Sequence, residues 1–251
     1  MRAAERQIKI QNLLRTQEFI DADELAAKFR ASPSSLRRDL MELEQQGLAR
    51  RVRGGAVSLQ VRDEPRSLGW AASRAREEKQ RIGKAAAALL EEGQTLIMDG
   101  GSTVAEVARQ LQGHSLQVIT NSIPIGQIFY DSKSVELTLT GGYLYPRLGV
   151  LLGPICEEML TRVAADVLVM GIGGITEAGL SNTNTLVVGS ERKMIEVSRR
   201  IVVVADHAKF GRQAMAQLTT LDTVDTIVTD QELPPRFEKL LEKCGVELVL
   251  A

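Results

Sequence analysis

Residues 23–40 have the sequence DELAAKFRASPSSLRRDL, and this stretch predicts two short helices joined by a tight turn. The first helix is expected to open at Asp21, because an acidic residue three positions later, Glu24, is typical of a helix N-terminus. The second is expected to open at Ser32, which precedes a proline at the first helical position. Residues 30–32 separate the two helices, and this is the turn length of a helix-turn-helix.

The second helix of this pair has two chemically distinct faces. Its apolar residues recur at i, i+4 and i+7: Leu36, Leu40 and Leu43. The opposite face and its flanks hold hydroxyls, arginines and one acid: Ser34, Ser35, Arg37, Arg38 and Glu42. Arginine can hydrogen-bond guanine edges or phosphates, and serine allows close approach, so this face suits the DNA major groove.

The flanking sequence completes a small domain. A helix is predicted from about residue 4 to residue 15, and Gly47 is expected to end the helix that contains Leu36. Alternating residues around Gly54-Gly55 then predict a two-stranded wing. Three arginines of this wing are candidates for phosphate or minor-groove contacts: Arg50, Arg51 and Arg53. The alternative is an exposed hairpin beside a three-helix protein-interaction domain.

The charge distribution separates this basic segment from the rest of the chain. The 251 residues have a formal net charge of −1, but residues 1–62 carry +4 and the remaining residues −5. A net charge of +4 is weak evidence for a nucleic-acid partner, because many solvated surfaces are equally basic. The arrangement of the arginines on the second helix and in the wing therefore decides the interpretation.

Composition excludes several classes of protein. The chain is 44% hydrophobic and 25% charged, ordinary values for a globular protein that exclude wholesale disorder. It has no apolar run near the roughly 18 residues of a membrane span and no apolar secretory leader, so we expect a cytoplasmic protein. The cysteines and histidines are few and far apart: Cys156, Cys244, His114 and His207. Such spacing argues against a zinc site or a disulfide framework, and we expect neither a metal nor a cofactor.

From about residue 74 onward, helical segments alternate with short apolar strands. Strands are predicted at residues 95–98, 116–120, 135–139, 167–170, 201–205, 226–228 and 247–250. Helices are predicted at about 74–90, 104–111, 123–130, 155–163, 190–199 and 235–244. This alternation favours a three-layer α/β domain with a mostly parallel sheet. Residues 58–73, which include Pro65 and Gly69, are predicted to connect it to the N-terminal segment.

Polar and glycine-rich residues follow five of these strands. The first group, Asp99-Gly100-Gly101-Ser102-Thr103, offers backbone N–H groups, two hydroxyls and a helix N-terminus. The others are Thr120-Asn121-Ser122, Thr140-Gly141-Gly142, Gly171-Ile172-Gly173-Gly174 and Asp206-His207-Ala208-Lys209. Each group alone is also explained by a tight turn, and none has the spacing of a dinucleotide fingerprint or a Walker loop. Because ligands bind beyond the carboxyl ends of parallel strands, we expect the groups together to form one site for an anion such as phosphate.

These motifs resemble the DeoR family of bacterial transcriptional regulators. In the N-terminal segment the resemblance rests on residues 23–29 and 32–40 and on Gly54-Gly55-Ala56. In the larger segment it rests on the groups that follow the strands, the last of which continues into Phe210-Gly211. The sensor domain of this family shares its fold with sugar-phosphate isomerases and coenzyme A transferases.

The resemblance implies a repressor of carbohydrate-metabolism genes that responds to a phosphorylated sugar or a related metabolite. It implies a winged helix-turn-helix domain at residues 1–57, a linker at 58–73 and an effector-sensing and oligomerisation domain at 74–251. The partners would be a double-stranded DNA operator, the effector and further copies of the chain in a dimer or tetramer. The candidate effector-binding residues are Asp99, Gly100, Gly101, Ser102, Thr103, Asn121, Gly142, Gly171, Gly173, Gly174 and Lys209.

Two positions depart from the pattern of relatives. Where relatives often have a glutamate and, four residues on, a lysine, this chain has Val187 and Glu191. If that lysine holds the effector in relatives, this protein either uses Arg192, Lys193 or Lys209 instead or binds a different ligand.

An enzyme is the alternative from another functional class. A sugar-phosphate isomerase or transferase with a DNA-binding appendage would need a base near a substrate carbon, and Asp99, Asp206 and His207 are the candidates. No pair of them has a spacing that requires acid–base chemistry, and a shared fold does not establish catalysis. We therefore expect a regulator and not an enzyme.

Overall fold

The computed structural model describes residues 3–16, 19–29, 31–45, 49–52, 55–58 and 75–251. The chain divides into two compact units, residues 1–66 and residues 67–251. Gly47, Arg53, Gly54 and almost all of the predicted connector at 58–73 lie outside the described residues.

The first unit combines three helices with a small antiparallel sheet. Its elements in chain order are α1 (Ala3–Thr16), β1 (Phe19–Asp21), α2 (Ala22–Phe29), α3 (Pro33–Gln45), β2 (Ala49–Val52) and β3 (Gly55–Ser58). The strand order is β1-β3-β2, so the predicted two-stranded wing has a third strand, β1, that the sequence pattern did not indicate. A three-residue strand is too short to show a period of two.

Both helix starts of the helix-turn-helix are confirmed by their capping hydrogen bonds. The backbone N–H of Glu24 donates to Asp21 Oδ1 at 3.1 Å, and that of Ser35 donates to Ser32 Oγ at 3.2 Å. The inward face predicted for α3 is also confirmed, since Leu36, Leu40 and Leu43 are buried against the other helices and the sheet. These apolar contacts hold the N-terminal unit together.

The second unit is built on a seven-stranded sheet in which every neighbouring pair is parallel, with the order β15-β14-β12-β9-β4-β5-β6. These strands are β4 (Thr95–Met98), β5 (Leu116–Thr120), β6 (Val135–Leu139), β9 (Ala165–Met170), β12 (Ser198–Val204), β14 (Thr226–Thr229) and β15 (Glu247–Leu250). The helices are α4 (Arg76–Ala87), α5 (Ser102–Gln110), α6 (Ile123–Phe129), α7 (Pro154–Leu160), α8 (Thr185–Glu196) and α9 (Pro235–Lys243).

Helices cover both faces of this sheet and make three layers. Alternate strand residues such as Ile97 and Leu168 pack on one face with α7, α8 and α9. Their neighbours Leu96 and Val169 pack on the other face with α4, α5 and α6. Because successive side chains of a strand point to opposite faces, a strand that is buried on both sides must be apolar throughout.

Two small antiparallel elements and one helix differ from the expectation. The hairpin of β7 (Tyr143–Tyr145) and β8 (Val150–Leu152) and the sheet of β10 (Gly174–Thr176), β11 (Gly179–Asn182) and β13 (Ala216–Thr219) were not predicted. The predicted helix at 190–199 is wrong at both ends, because α8 starts at Thr185 and stops at Glu196. The Asn184 side chain caps α8 by accepting from the Leu186 N–H at 2.8 Å, while Ser198 pairs with Ala165 in the sheet.

Candidate functional sites

The outer face of α3 is hydroxylic at its N-terminus and basic in its middle. Ser34, Arg37 and Arg38 are exposed and Ser35 is half-buried, as the helical spacing predicted. The hydroxyls of Ser34 and Ser35 lie 3.0 and 2.9 Å from Ser32 Oγ, so they form a compact cluster at the start of the helix. This face has the shape and chemistry of a helix that enters a major groove.

A buried ion pair holds α3 against α1. Asp39 lies on the inward face of α3, and its Oδ2 accepts a hydrogen bond from Arg6 Nε at 2.5 Å. Its Oδ1 accepts a second hydrogen bond from Gln7 Nε2 at 3.2 Å. Because Asp39 follows Arg37 and Arg38 directly, this pair fixes the side of α3 that faces away from the core. The sequence pattern did not indicate this role for Asp39.

For two of the three wing arginines, Arg50 and Arg51, the structure describes the backbone and not the side chain. Arg50 pairs with Val57 and Arg51 with Ala56 across the β2–β3 hairpin. Their side chains and the whole of Arg53 lie outside the described part of the structure. Their assignment as phosphate contacts stays a prediction.

In the second unit, the carboxyl ends of β4, β5, β6 and β9 bring polar residues to one edge of the parallel sheet. The Asp99 N–H donates to Val169 O at 3.0 Å, which fastens the end of β4 to β9. A Cβ built on Gly171 would lie 3.9 Å from Gly100 O, and one built on Gly100 would lie 3.7 Å from Ser122 Cβ. The Asp99, Asn121 and Gly171 segments therefore lie side by side, as expected for parallel strands.

The loop from Asp99 to Thr103 ends in the N-terminus of α5. Gly101 has a φ of 151° and precedes the helix, and no side chain caps the first turn. The first N–H groups of a helix have no intrahelical acceptor, and they favour an anion. Gly100 tolerates no side chain, because a Cβ there would lie 2.2 Å from Val150 Cγ1. The loop therefore combines close packing against β8 with backbone donors.

Asp99 and Glu191 are two buried carboxyl groups at this edge, with exposed fractions of 3% and 0%. Burial raises the pKa of Asp99 to about 7, while the Gly100 N–H and the Asn121 side chain act in the opposite direction. Burial, together with the charge of Asp99, also raises the pKa of Glu191 well above its ordinary value. Asn182 Nδ2 donates to Glu191 Oε1 at 2.5 Å and opposes this shift.

Cys156 and Ser190 extend the polar cluster between these two acids. Burial raises the pKa of the Cys156 thiol, against opposing contacts from the side chains of Thr140 and Ser190. The Ser190 hydroxyl lies near this thiol but makes no hydrogen bond of ordinary geometry, and Asn121 Oδ1 and Glu191 Oε2 also lack a donor. Sequence reasoning missed this half of the cluster. The signal was available in α8, where Val187, Ser190, Glu191 and Met194 recur with inward helical spacing.

Three of the predicted effector glycines have a packing explanation. A Cβ on Gly142 would lie 2.7 Å from Leu152 O, one on Gly173 would lie 2.9 Å from Asn182 Oδ1, and one on Gly174 would lie 2.1 Å from Arg212 O. Gly173 thereby approaches the amide that holds Glu191, whereas Gly174 belongs to β10 and is paired with Ser181. Their part in ligand binding stays a prediction.

The basic side chains considered for effector binding, Arg192, Lys193 and Lys209, are engaged with other groups or lie further along the sheet from the Asp99 loop. Arg192 donates to the backbone oxygens of Leu218 and Gln217 at 3.1 and 2.8 Å, and Lys193 bonds Glu196 at 2.6 Å, so both engage other partners. Lys209 lies in a 3-10 turn after β12, and β9 separates β12 from β4. The position of Val187 is apolar and packs with Val150 and Leu152.

His207 makes contacts that join two segments of the fold. Its Nδ1 lies 2.8 Å from the buried Asp230 carboxylate and its Nε2 lies 3.4 Å from Glu232. The Asp230 carboxylate also accepts the N–H groups of His207 and Glu232. These contacts tie the turn after β12 to the end of β14.

A groove of about 350 Å³ lies elsewhere on the second unit, lined by residues that include Thr176, Gly211, Arg236 and Phe237. None of the predicted effector residues lines it. Among the helices of the described ranges, none is long and apolar enough to span a bilayer.

Both units match models of known protein families. Residues 6–62 match the DeoR-like helix-turn-helix domain, and residues 74–231 match the DeoR C terminal sensor domain. Ribose 5-phosphate isomerase A from Methanocaldococcus jannaschii superposes with a TM-score of 0.41 and 17% identity over 54% of this chain and 55% of that chain.

Two curated relatives align along almost the entire chain. The chain is 32% identical over 246 residues to the HTH-type transcriptional repressor GlcR of Bacillus subtilis (strain 168), covering 98% of this chain and 95% of that protein. It is 32% identical over 254 residues to the glycerol-3-phosphate regulon repressor of Escherichia coli (strain K12), covering 100% of both. These relatives are regulators and not enzymes, and the protein belongs to the DeoR family of DNA-binding transcriptional regulators.

Proposed function

We propose that this protein represses carbohydrate-metabolism genes and releases its operator when a phosphorylated sugar or related metabolite binds at the carboxyl edge of the parallel sheet. The observation that carries the effector assignment is the uncapped N-terminus of α5 beside the buried polar residues that follow β4 and β5. The names of two relatives, a glycerol-3-phosphate regulon repressor and GlcR, support a link to carbon metabolism.

The DNA-binding half of the proposal rests on α3. Its outer face presents Arg37 and Arg38 to solvent, with the small hydroxyls of Ser34 and Ser35 at the N-terminal end. In a helix-turn-helix these positions approach base edges, while wing residues such as Arg51 contact the backbone. Recognition of paired half-sites requires at least two such helices, so we propose a dimer or tetramer that acts on cytoplasmic DNA.

The effector half rests on complementary chemistry at α5. The backbone N–H groups at Gly101–Thr103 and the hydroxyls of Ser102 and Thr103 can donate to the oxygens of a phosphate. Asn121 and Asp99 supply acceptors for sugar hydroxyls next to this anion site. Lys209 is a further candidate for charge, from a neighbouring strand end.

The test begins with the DNA. Operator sequences are selected from a random duplex library with the full chain, and binding is measured by gel shift with and without a panel of sugar phosphates. The expected result is sequence-specific binding that at least one sugar phosphate weakens. Binding that is independent of sequence, or that no member of the panel changes, contradicts the proposal.

The location of the effector is tested with a paired variant. Ser102→Ala combined with Lys209→Ala should keep the operator affinity of the unmodified protein and lose its response to the active sugar phosphate. It should also lose the thermal stabilisation by that compound, because ligand binding to the native state raises stability. Arg236→Ala, in the groove beside α9, is the matched control and should respond normally. The reverse pattern places the effector in that groove.

A further inference from the structure

The edge of the sheet that is proposed to bind the effector contains an uncompensated acidic pair. Asp99 and Glu191 are almost completely buried, from the end of β4 and from α8 respectively. Within the part of the chain that the structure describes, the groups that act on them are Gly100, Asn121, Asn182, Cys156 and each other, and none is basic. Because charging two buried carboxyl groups that face each other is costly, their raised pKa values keep protons on the pair until a cation binds.

The same place holds three buried polar atoms without a hydrogen-bond partner. They are Glu191 Oε2, Asn121 Oδ1 and Ser190 Oγ, and all three residues are at most 1% exposed. An amide oxygen can only accept, whereas a hydroxyl and a protonated carboxyl can also donate. Because buried polar atoms in folded proteins nearly always find partners, this cluster has hydrogen-bonding capacity that a ligand can fill.

We infer that the effector carries a protonated amine, which binds between Asp99 and Glu191 and donates to Glu191 Oε2 and Asn121 Oδ1. An ammonium group offers three donors and a positive charge, whereas a hydroxyl offers one donor and no charge. The inference deepens the proposed function, on which it rests, by assigning the ligand to the amino-sugar class, with a phosphate at the N-terminus of α5 and the amine at Glu191.

A bare metal ion is the other source of positive charge. Among the described residues, the group of three histidine, cysteine or acidic side chains whose ligand atoms lie within 4.8 Å of one another is His207, Asp230 and Glu232. Asp99 and Glu191 do not belong to such a group, and metal ions are therefore tested as a separate arm of the experiment.

The experiment compares sugar phosphates that differ in one group. Glucosamine 6-phosphate is tested against glucose 6-phosphate, and galactosamine 6-phosphate against galactose 6-phosphate, by calorimetry on the full chain. For at least one pair, the amine should bind about ten- to a hundredfold more tightly, because a hydrogen bond to a charged group is that much stronger. Magnesium and calcium chlorides form a separate arm and should not bind at this site.

Glu191→Gln should reduce the preference for the amine over the hydroxyl compound to within about threefold. Glu196→Gln is the matched control, since it makes the same change on the exposed side of the same helix, and it should retain the preference. A preference that survives Glu191→Gln, equal binding within both pairs, no binding of either amine, or metal-ion binding that Glu191→Gln abolishes overturns the inference.

Two further measurements separate a failure of this inference from misfolding of the variant and from a failure of the proposed function. If Glu191→Gln does not fold, calorimetry of the unmodified chain in two buffers of different ionisation enthalpy is decisive, because an ammonium ion displaces protons from the acidic pair and a hydroxyl does not. Release of operator DNA by the hydroxyl compounds alone would preserve the proposed function while overturning this inference. Failure to bind any operator would instead count against the proposed function.

Discussion

Arg6 Nε donates to Asp39 Oδ2 at 2.5 Å, and the two side chains retain only 11% and 3% of their exposure. The pair joins the first helix of the N-terminal unit to α3, across 33 positions of sequence. Asp39 faces the core, whereas Arg37 and Arg38 face solvent. The contact therefore helps to set the angle at which those two arginines leave the unit.

Breaking this ion pair should destabilise the N-terminal unit. Asp39→Asn removes the negative charge that faces the buried Arg6 guanidinium, and breaking a buried ion pair costs about 3–5 kcal/mol in comparable sites. Hydrogen exchange on the full chain should show faster exchange in α1 and α3 and unchanged exchange in β4 and β9. The double variant Arg6→Met, Asp39→Leu should recover much of the protection, because an apolar pair can replace a buried ion pair. Unchanged exchange in Asp39→Asn would show that the pair contributes little.

Arg38 should contribute sequence preference. Replacing it with alanine should cost about 1–3 kcal/mol of operator affinity if it contacts a base edge, and should relax the preference at one base pair. Selection from a random DNA library followed by competition gel shifts measures both effects. Arg162→Ala removes an exposed arginine from the second unit and is the control for net charge. Equal loss on operator and random DNA would reassign Arg38 to phosphate contact.

Arg51 should contribute affinity without preference. Its place in β2 and the wing suggests a phosphate contact, so Arg51→Ala should weaken specific and non-specific DNA to a similar extent. The slope of log affinity against log salt should decrease by about one unit. Titrations at several salt concentrations provide the slope, and an unaltered slope would exclude this contact.

The acidic pair should make stability depend on pH with a defined sign. Asp99 has a pKa of about 7 in the fold against an ordinary value of 3.8, and the pKa of Glu191 is raised as well. The folded chain therefore holds more protons than the unfolded chain above about pH 4, and the free energy of unfolding falls as pH rises towards 7. The slope from Asp99 alone reaches about 1.4 kcal/mol per pH unit at most. Cys156 on α7 is the other titratable group at this place, and its raised pKa keeps it neutral over this range.

Asp99→Asn removes the Asp99 contribution. The gain in melting temperature of the variant over the unmodified protein should be larger at pH 8 than at pH 5. The reason is that the unmodified protein must bury the Asp99 charge only at the higher pH. Calorimetric scans at the two pH values measure the difference. Asp131→Asn, at an exposed position, should show no such dependence. A larger gain at pH 5 would reverse the sign and refute the assignment.

Gly100 should not tolerate a side chain. Gly100→Ala places a methyl group 2.2 Å from Val150 Cγ1, so either the Asp99 loop or β8 must move. Overpacking of this kind typically costs about 1–3 kcal/mol, and the altered loop should bind sugar phosphates poorly while operator affinity is kept. Thermal unfolding and calorimetry measure the two effects. Combining the change with Val150→Ala should restore part of the stability, and no recovery would indicate that backbone conformation matters more than space.

Strands were predicted correctly where a run of apolar or β-branched residues ends at a clear turn or polar segment. The bounds of β4, β5, β6 and β15 match the prediction, because each is a short run of mainly apolar or β-branched residues that ends at a turn or polar segment. The start of α8 was missed because its first turns contain Val187, Val188 and Gly189, which are weak helix formers. There the Asn184 cap and packing on β8 decide the structure.

Of the proposed effector site, the sequence predicted the half that follows the strands and missed the half that the helices supply. The groups that follow parallel strands must converge, and the structure brings the Asp99, Asn121 and Gly171 segments together. The opposite half, with Cys156, Ser190 and Glu191, comes from helices that lie far away in sequence, and no local pattern states which strand end a helix residue will meet. Helical spacing shows only that Glu191 points inward, as it shows for Asp39 in α3.

The separation of apolar strand interiors from polar strand ends has an evolutionary consequence. Residues such as Leu96 and Leu168 sit in the two hydrophobic layers, whereas the groups that would meet a ligand occupy positions after the strands have ended. Substitutions at the ends can therefore change ligand preference while the layers that fold the sheet stay intact. A gene duplicated from an ancestor of this protein could acquire a new inducer through a few changes at one edge and keep both its scaffold and its DNA-reading helix.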